Sequence, residues 1–189
     1  MTRDYAPFDL IHFTVRGHRR RQIFHCEADH REFLDAVCER LATVREKYRP
    51  LLHAYGQMPN HQHVLMSARS DPTIPPAIMR AASTSYAKSY NWRNGTSGPV
   101  FQRPFRGRVI RGSNHMINTF AYIHLNPDAS LRATNSSHGF YAGLVEDPRI
   151  DPALAWRVFG DRAEYMRFFN DTARLREARQ QARRRLELG

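Results

Sequence analysis

Two apolar stretches, "LLHAYGQMP" and "HQHVLMSA", meet at the dipeptide Pro59-Asn60. Two short strand-like runs joined by a tight turn predict a β-hairpin, and a central hairpin restricts what its neighbours can be. Before it, "DLIHFTVRG" alternates as a strand and stops at Gly17, and "HRRRQIF" forms a basic turn. "DHREFLDAVCERLATVREKY" then places Phe33, Leu34, Val37, Leu41 and Val44 at helical spacing. Asp29, with Glu32 three residues later, reads as a capping box, and Pro50 as the helix stop.

After the hairpin, "SDPTIPP" reads as a loop and "AIMRAASTSYAKSYNWR" as a helix with Ile78, Ala82, Tyr86 and Tyr90 on one side. "NGTSGP" is a second loop. "VFQRPFRGRVIR" reads as a strand whose Pro104 marks an edge or a bulge. "SNHMINTFAYIHLNP" predicts a further helix from a cap-like Ser113 to Pro127, with Met116, Ile117, Phe120 and Ile123 or Leu125 supplying its buried side. The order strand, helix, strand, strand, helix, strand is the split βαβ order. It predicts an α+β, ferredoxin-like βαββαβ chain: an antiparallel sheet with two helices on one face and the other face left for a ligand or an additional helix.

Beyond Pro127, "DASLRATNSSHGFYAG" is loop-like, and "DPALAWRVFG" and "DRAEYMRFFNDTARLREARQQARRRLELG" read as helices. The last ends in an arginine-rich tail holding Arg174, Arg176, Arg179, Arg183, Arg184 and Arg185. A terminal charge run has two readings, a solvated helix end or a nucleic-acid contact.

Charge narrows the choice of partner. Lys and Arg total 29 against 18 Asp and Glu, a net charge of +11 carried mostly by arginine. Guanidinium forks match phosphate geometry and stack on bases, so the balance points to a polyanion, most simply a nucleic acid. At 41% apolar residues the chain is expected to fold. No apolar run approaches the roughly 20 residues of a membrane span, and "MTRDYAPFDL" lacks the apolar core of a secretory signal. The expected location is cytoplasmic, with no membrane partner. Cys26 and Cys38 form no C-x-x-C motif and read as free thiols.

Candidate chemistry begins at His61 and His63. Side chains two apart on a strand share a face, so these imidazoles project together with Cα atoms about 6.5–7 Å apart. Gln62 points the other way, toward the helices. Two imidazoles at that spacing suit one divalent ion or an ordinary polar surface. In "FAYIHLNP", Tyr122 and Asn126 are one helical turn apart and share a face. Tyr122 offers a phenol or a packed aromatic ring. Asn126 offers an amide oxygen for a hard metal or a helix C-cap before Pro127.

The blocks "FTVRGHRRRQIF", "YGQMPNHQHVLMSA", "GPVFQRPFRGRVIR" and "AYIHLNPDASLRA", in this order, resemble the REP-associated tyrosine transposases. These are relatives of the single-tyrosine HUH transposases of insertion sequences. The resemblance spans about Phe8 to Ala133, and "SSHGFYAG" and "RAEYMRFF" are similar to the family's C-terminal extension. It implies a transposase domain over residues 1–133 and a helical extension over 134–189. It also implies that the chain cuts and rejoins single-stranded DNA at hairpin-forming, REP-like palindromes through a 5′-phosphotyrosine.

Residue by residue, the resemblance implies that His61, His63 and Asn126 hold a divalent metal and that Tyr122, on an additional catalytic helix, is the nucleophile. Mg²⁺ or Mn²⁺ fits a mixed imidazole and amide set. Gln62 departs from the family's pattern, which has a bulky apolar residue there; facing the core, its amide needs partners. Arg16, Arg19, Arg20, Arg21, Arg103, Arg106, Arg108 and Arg111 are the candidate phosphate contacts. Among Tyr86, Trp92, Phe101 and Phe105, Tyr86 and Phe101 are expected in the core, leaving the others to stack bases. A monomer is favoured. Two other functions suit the same fold: a domesticated hairpin-binding protein that does not cut, and an RNA-binding module.

Overall fold

A computed structural model describes residues 6–187, with side chains described through residue 181. Strands β1 (Leu10–Arg16), β2 (Pro50–Met58), β3 (His61–Ala68) and β4 (Arg106–Ile110) form one antiparallel sheet in the order β2-β3-β1-β4. Helices α1 (Glu27–Tyr48) and α2 (Ile74–Arg93) connect them. This is the expected ferredoxin-like α+β arrangement. The β2–β3 hairpin turns at Pro59-Asn60, and Pro50 opens β2 immediately after α1 and its left-handed cap Arg49.

The inner face carries the core. Ile11, Phe13 and Val15 of β1 and Val64 and Met66 of β3 are buried with Phe33, Leu34 and Val37 of α1 and Ile78, Met79 and Tyr86 of α2. Each such side chain contributes about 1.5–3 kcal/mol on leaving water. The alternation of β1 leaves His12, Thr14 and Arg16 on the outer face.

Three local expectations are corrected. Asp29 does not cap α1, which starts at Glu27 after Cys26 and has no side-chain cap. Its carboxylate instead accepts from the His25 amide at 2.7 Å and pairs with Arg93 at 2.9 Å, tying α1 to the end of α2. Glu32 also pairs with Arg93, so the two acids of the expected capping box serve a tertiary ion pair. Helix α2 begins at Ile74, because Pro75 and Pro76 fall in its first turn, where a missing N–H costs nothing. The fourth strand is only Arg106–Ile110; Phe101 makes an isolated bridge to Gly17, and Arg103 and Arg111 lie outside the strand.

Helix α3 (Ser113–Leu125) crosses the outer face. Gly56 permits this: a Cβ there would come within 2.4 Å of the Ile123 carbonyl oxygen. The α3 backbone therefore rests directly on β2, opposite His63, the β3 partner of Gly56. On the other side of α3, α4 (His138–Tyr141), α5 (Ala153–Phe159) and α6 (Arg162–Glu187) close over Phe120. The Phe120 ring meets Tyr141 at 5.7 Å and Phe159 at 5.8 Å. His124 is fully buried and bridges Ser137 (Nε2 to Oγ, 2.7 Å) and Tyr165 (Nδ1 to hydroxyl, 2.8 Å), and Tyr165 reaches His138 at 2.8 Å. The boundary expected after residue 133 falls in an irregular stretch before α4, and Tyr141, Phe159 and Tyr165 share one apolar cluster with the sheet. No helix among the described residues is long and apolar enough to cross a membrane.

Candidate active site

Sheet register places the polar outer-face residues in rows. Gly56, His63, Thr14 and Arg106 are successive cross-strand partners; Met58, His61 and Arg16 form the next row, and His12 lies between Leu65 and Arg108. Paired residues point to the same face, so both histidines of the hairpin, His12 and the arginines of β1 and β4 surround one patch. Gln62 points to the inner face, as expected.

The two imidazole centroids of His61 and His63 lie 5.1 Å apart with nearly perpendicular planes. Each has its Nδ1 engaged. His63 Nδ1 is 2.8 Å from His12 Nε2 and 3.2 Å from Thr14 Oγ1. His61 Nδ1 donates to Asn60 Oδ1 at 2.6 Å. Burial lowers all three imidazoles: His61 and His12 to about 4, aided by Arg16 and Arg108 respectively, and His63 to about 2, aided by His12. They are neutral near pH 7, with lone pairs available.

Resting α3 on Gly56 brings Tyr122 to this patch. Its ring centroid is 5.1 Å from His63 and 6.0 Å from His12, and the side chain is 48% exposed. The ring is thus packed edge-on against His63 and His12 while the residue stays half exposed. The structure brings Tyr122 against His63, which in turn meets His61, so residues from two distant stretches adjoin.

His63 Nε2 is buried and has no hydrogen-bond partner among the described residues. An orphaned N–H is the rarer and costlier case, and His12 and Thr14 stand ready at Nδ1, so the hydrogen belongs on Nδ1 and a bare lone pair on Nε2. That atom fits a divalent cation. No group of three or more His, Cys, Asp or Glu side chains among the described residues could hold a metal together, so a cation here needs neutral or solvent ligands beside the two imidazoles. Asn126 sits one turn beyond Tyr122 as the C-cap of α3, its Nδ2 donating to the Tyr122 carbonyl at 3.0 Å. It takes the capping role, and its amide oxygen makes no hydrogen bond among the described residues.

A groove of about 1000 Å³ runs from Tyr122 and His63 along β4. Of the eight candidate arginines, Arg16, Arg103, Arg106 and Arg108 line it. The other four do not. Arg19 and Arg20 are exposed on the turn after β1, both with left-handed backbone. Arg21 donates to the Pro99 carbonyl and lies over the Tyr90 ring, and Arg111 faces Asp9 at 3.9 Å. Tyr86 and Phe101 are core residues, Phe105 is packed against the core, and Trp92 is 84% exposed.

Sequence reasoning missed His12, Thr14 and Asn60. Alternation in "DLIHFTVRG" already placed His12 and Thr14 on one face; what it lacked was the pairing that sets Thr14 opposite His63.

An α+β ferredoxin-like sheet with a tyrosine helix laid over paired histidines defines the fold class to which this chain belongs. No family model and no curated protein matches the chain. A solved structure of a REP-associated tyrosine transposase bound to a REP hairpin matches with a TM-score of 0.56 at 15% identity, covering 80% of this chain and 96% of that one. The chain therefore has the fold of that transposase.

Proposed function

We propose that this protein is a metal-dependent transposase-type endonuclease that cuts and rejoins single-stranded DNA beside a hairpin through a 5′-phosphotyrosine at Tyr122. The observation that carries this reading is the stacking of the half-exposed Tyr122 ring 5.1 Å from His63, whose Nε2 is otherwise without a partner. The similar fold was solved with a REP hairpin, which supports hairpin DNA as the partner.

His61 and His63, with Asn126 as the third ligand, would hold a divalent cation, Mg²⁺ or Mn²⁺, which would supply charge neutralisation at the scissile phosphate. The chain's own residues do the rest. Arg16, Arg103, Arg106 and Arg108 hold the phosphates of the bound strand in the groove. The phenol of Tyr122 gives its proton to solvent water, the source of the proton later taken up by the leaving oxygen, and its oxygen attacks phosphorus in line. An O–P bond to tyrosine forms, the P–O3′ bond breaks, and the departing 3′-oxygen takes up a proton as a hydroxyl. The phosphodiester energy is retained, so a second 3′-hydroxyl reverses the step without ATP.

A hairpin-binding protein that does not cut is the second reading. Gln62 favours it, since its buried Nε2 has no partner on the strand that carries both histidines. Incubation of the chain with labelled hairpin DNA and Mn²⁺ decides between them. A covalent protein–DNA band resistant to denaturation, and absent in Tyr122→Phe, is expected. Binding without that band favours the second reading.

A further inference from the structure

We infer that the groove between α3 and α6 receives a second unpaired segment of the DNA strand, so that Tyr122 sits between two arms of the strand it attacks. This rests on the function proposed above and adds a surface to it. The groove encloses about 540 Å³, and Tyr122 and Asn118 line both it and the β4 groove. The nucleophile therefore stands on the ridge where two channels meet.

The chemistry requires two exits. A phosphodiester within a strand has nucleotides on both sides, and in-line attack fixes both P–O directions relative to the phenol. The β4 groove, with its four arginines, carries one side. The other side must leave past Tyr122, and the α3–α6 groove is built for it. Its apolar walls are Ala121 and Leu125 of α3 and Leu175 of α6, the last 61% exposed. Such surfaces suit the faces of unpaired bases and sugars. Its basic wall is Arg176 and Arg179, one helical turn apart on α6, with Leu175 one turn before Arg179. Arg176 is anchored by donation to the Leu125 carbonyl, and Arg179 is exposed. Neither forms an ion pair among the described residues.

Charge selects the occupant. A second copy of a chain with net charge +11 would bring repulsion to this wall, whereas a phosphodiester strand brings the complementary sign. The first part of the arginine-rich C-terminal helix thus acts as a DNA contact.

The test uses the full chain carrying Tyr122→Phe, so that binding is read without cutting. Fluorescence anisotropy is measured with labelled hairpins bearing an unpaired arm on the 5′ side, on the 3′ side, or on both. Arg179→Glu should weaken binding of one single-armed hairpin and of the two-armed hairpin by about fivefold or more, leaving the other single-armed hairpin within about twofold. Arg106→Glu should show the converse arm preference. Arg179 is exposed, so an unchanged thermal melt is expected to confirm folding. Equal losses on every probe, or no loss on any, overturn the two-arm assignment while leaving the proposed function intact. Arm-insensitive binding together with a dimeric mass by light scattering gives the groove to a second copy and also overturns it. If the chain without Arg179→Glu binds no hairpin, the parent function and this assignment both fail. As an independent readout, 5-iodouracil in the affected arm should photo-crosslink to α6; crosslinking only to β4 overturns the assignment.

Discussion

Asn60 Oδ1 accepts a hydrogen bond from His61 Nδ1 at 2.6 Å, while Asn60 Nδ2 donates to the Arg20 carbonyl at 3.2 Å. The second bond orients the carboxamide, and an amide oxygen can only accept, so the His61 hydrogen is fixed on Nδ1 and Nε2 is left bare. His12 Nε2 and Thr14 Oγ1 stand within reach of His63 Nδ1 and can each accept from it, and the unpartnered Nε2 places the His63 hydrogen on Nδ1. Both imidazoles thus present the same nitrogen. Partners of this kind are worth about 10–100-fold in metal affinity. Asn60→Ala is expected to weaken Mn²⁺ binding by that order, read by electron paramagnetic resonance titration of the chain without DNA. Asn60→Asp, which keeps an acceptor oxygen, should retain most of the affinity. Equal affinity in Asn60→Ala and the parent chain would remove Asn60 from any supporting role.

Gly56 sets the distance between the tyrosine helix and the histidine strand. A Cβ at this position meets the Ile123 carbonyl oxygen at 2.4 Å, and the contact is with backbone, so a side-chain rotation cannot relieve it. Gly56→Ala should force α3 off β2 and move Tyr122 away from His63. Overpacking of this sort costs about 1–3 kcal/mol. A lower urea midpoint and a covalent adduct yield reduced by at least about tenfold are expected. A variant as stable and as reactive as the parent would show that α3 need not rest on Gly56.

The element order, the shared face of His61 and His63 and the inward aim of Gln62 were legible because all three follow from local periodicity. The neighbourhood of His63 was not. His12 is one of ten histidines, and what makes it a partner of His63 is the pairing of β1 with β3, a contact across 51 positions. Asp29 misled for the same reason: a residue with the right local spacing for a cap was claimed by Arg93, 64 positions away. Local rules assign elements; they do not see which distant cation takes a carboxylate. Four of the eight arginines missed the groove because the turn after β1 and the C-terminal end of β4 direct their chains elsewhere.

Burial of neutral histidines makes the fold acid-sensitive. His138 is lowered to about 4 by burial, with Arg132 adding to the effect, and burial also lowers His53, which contacts Ser67 Oγ at 2.8 Å. Unfolded, each titrates near 6.5. Between about 4 and 6.5 the unfolded chain therefore binds more protons than the folded one, so stability falls as pH drops through this window and is fully present above it. The urea midpoint should decline from about pH 6.5 downward. His138→Gln, which cannot titrate, should shallow that decline. The same slope in both chains would mean that His138 does not stay neutral in the fold.

Gln62 offers a separate test of how the sheet tolerates a buried amide on its inner face. Its Oε1 accepts a long bond from Gln57 Nε2 at 3.4 Å, while Gln57 Nε2 has a better acceptor in the His30 carbonyl at 2.7 Å. Gln62 Nε2 is buried without a partner, a condition that costs about 1–3 kcal/mol. Methionine has similar length and no donor to satisfy. Gln62→Met is therefore expected to raise the urea midpoint by the equivalent of about 1 kcal/mol, with the denaturant slope unchanged. Gln57→Met should lower it, since the His30 carbonyl loses its side-chain donor. Because Gln62 points to the inner face, away from His61 and His63, the covalent adduct yield of Gln62→Met should match the parent's. A lower midpoint in Gln62→Met would show that the amide is satisfied in solution and contributes to the core.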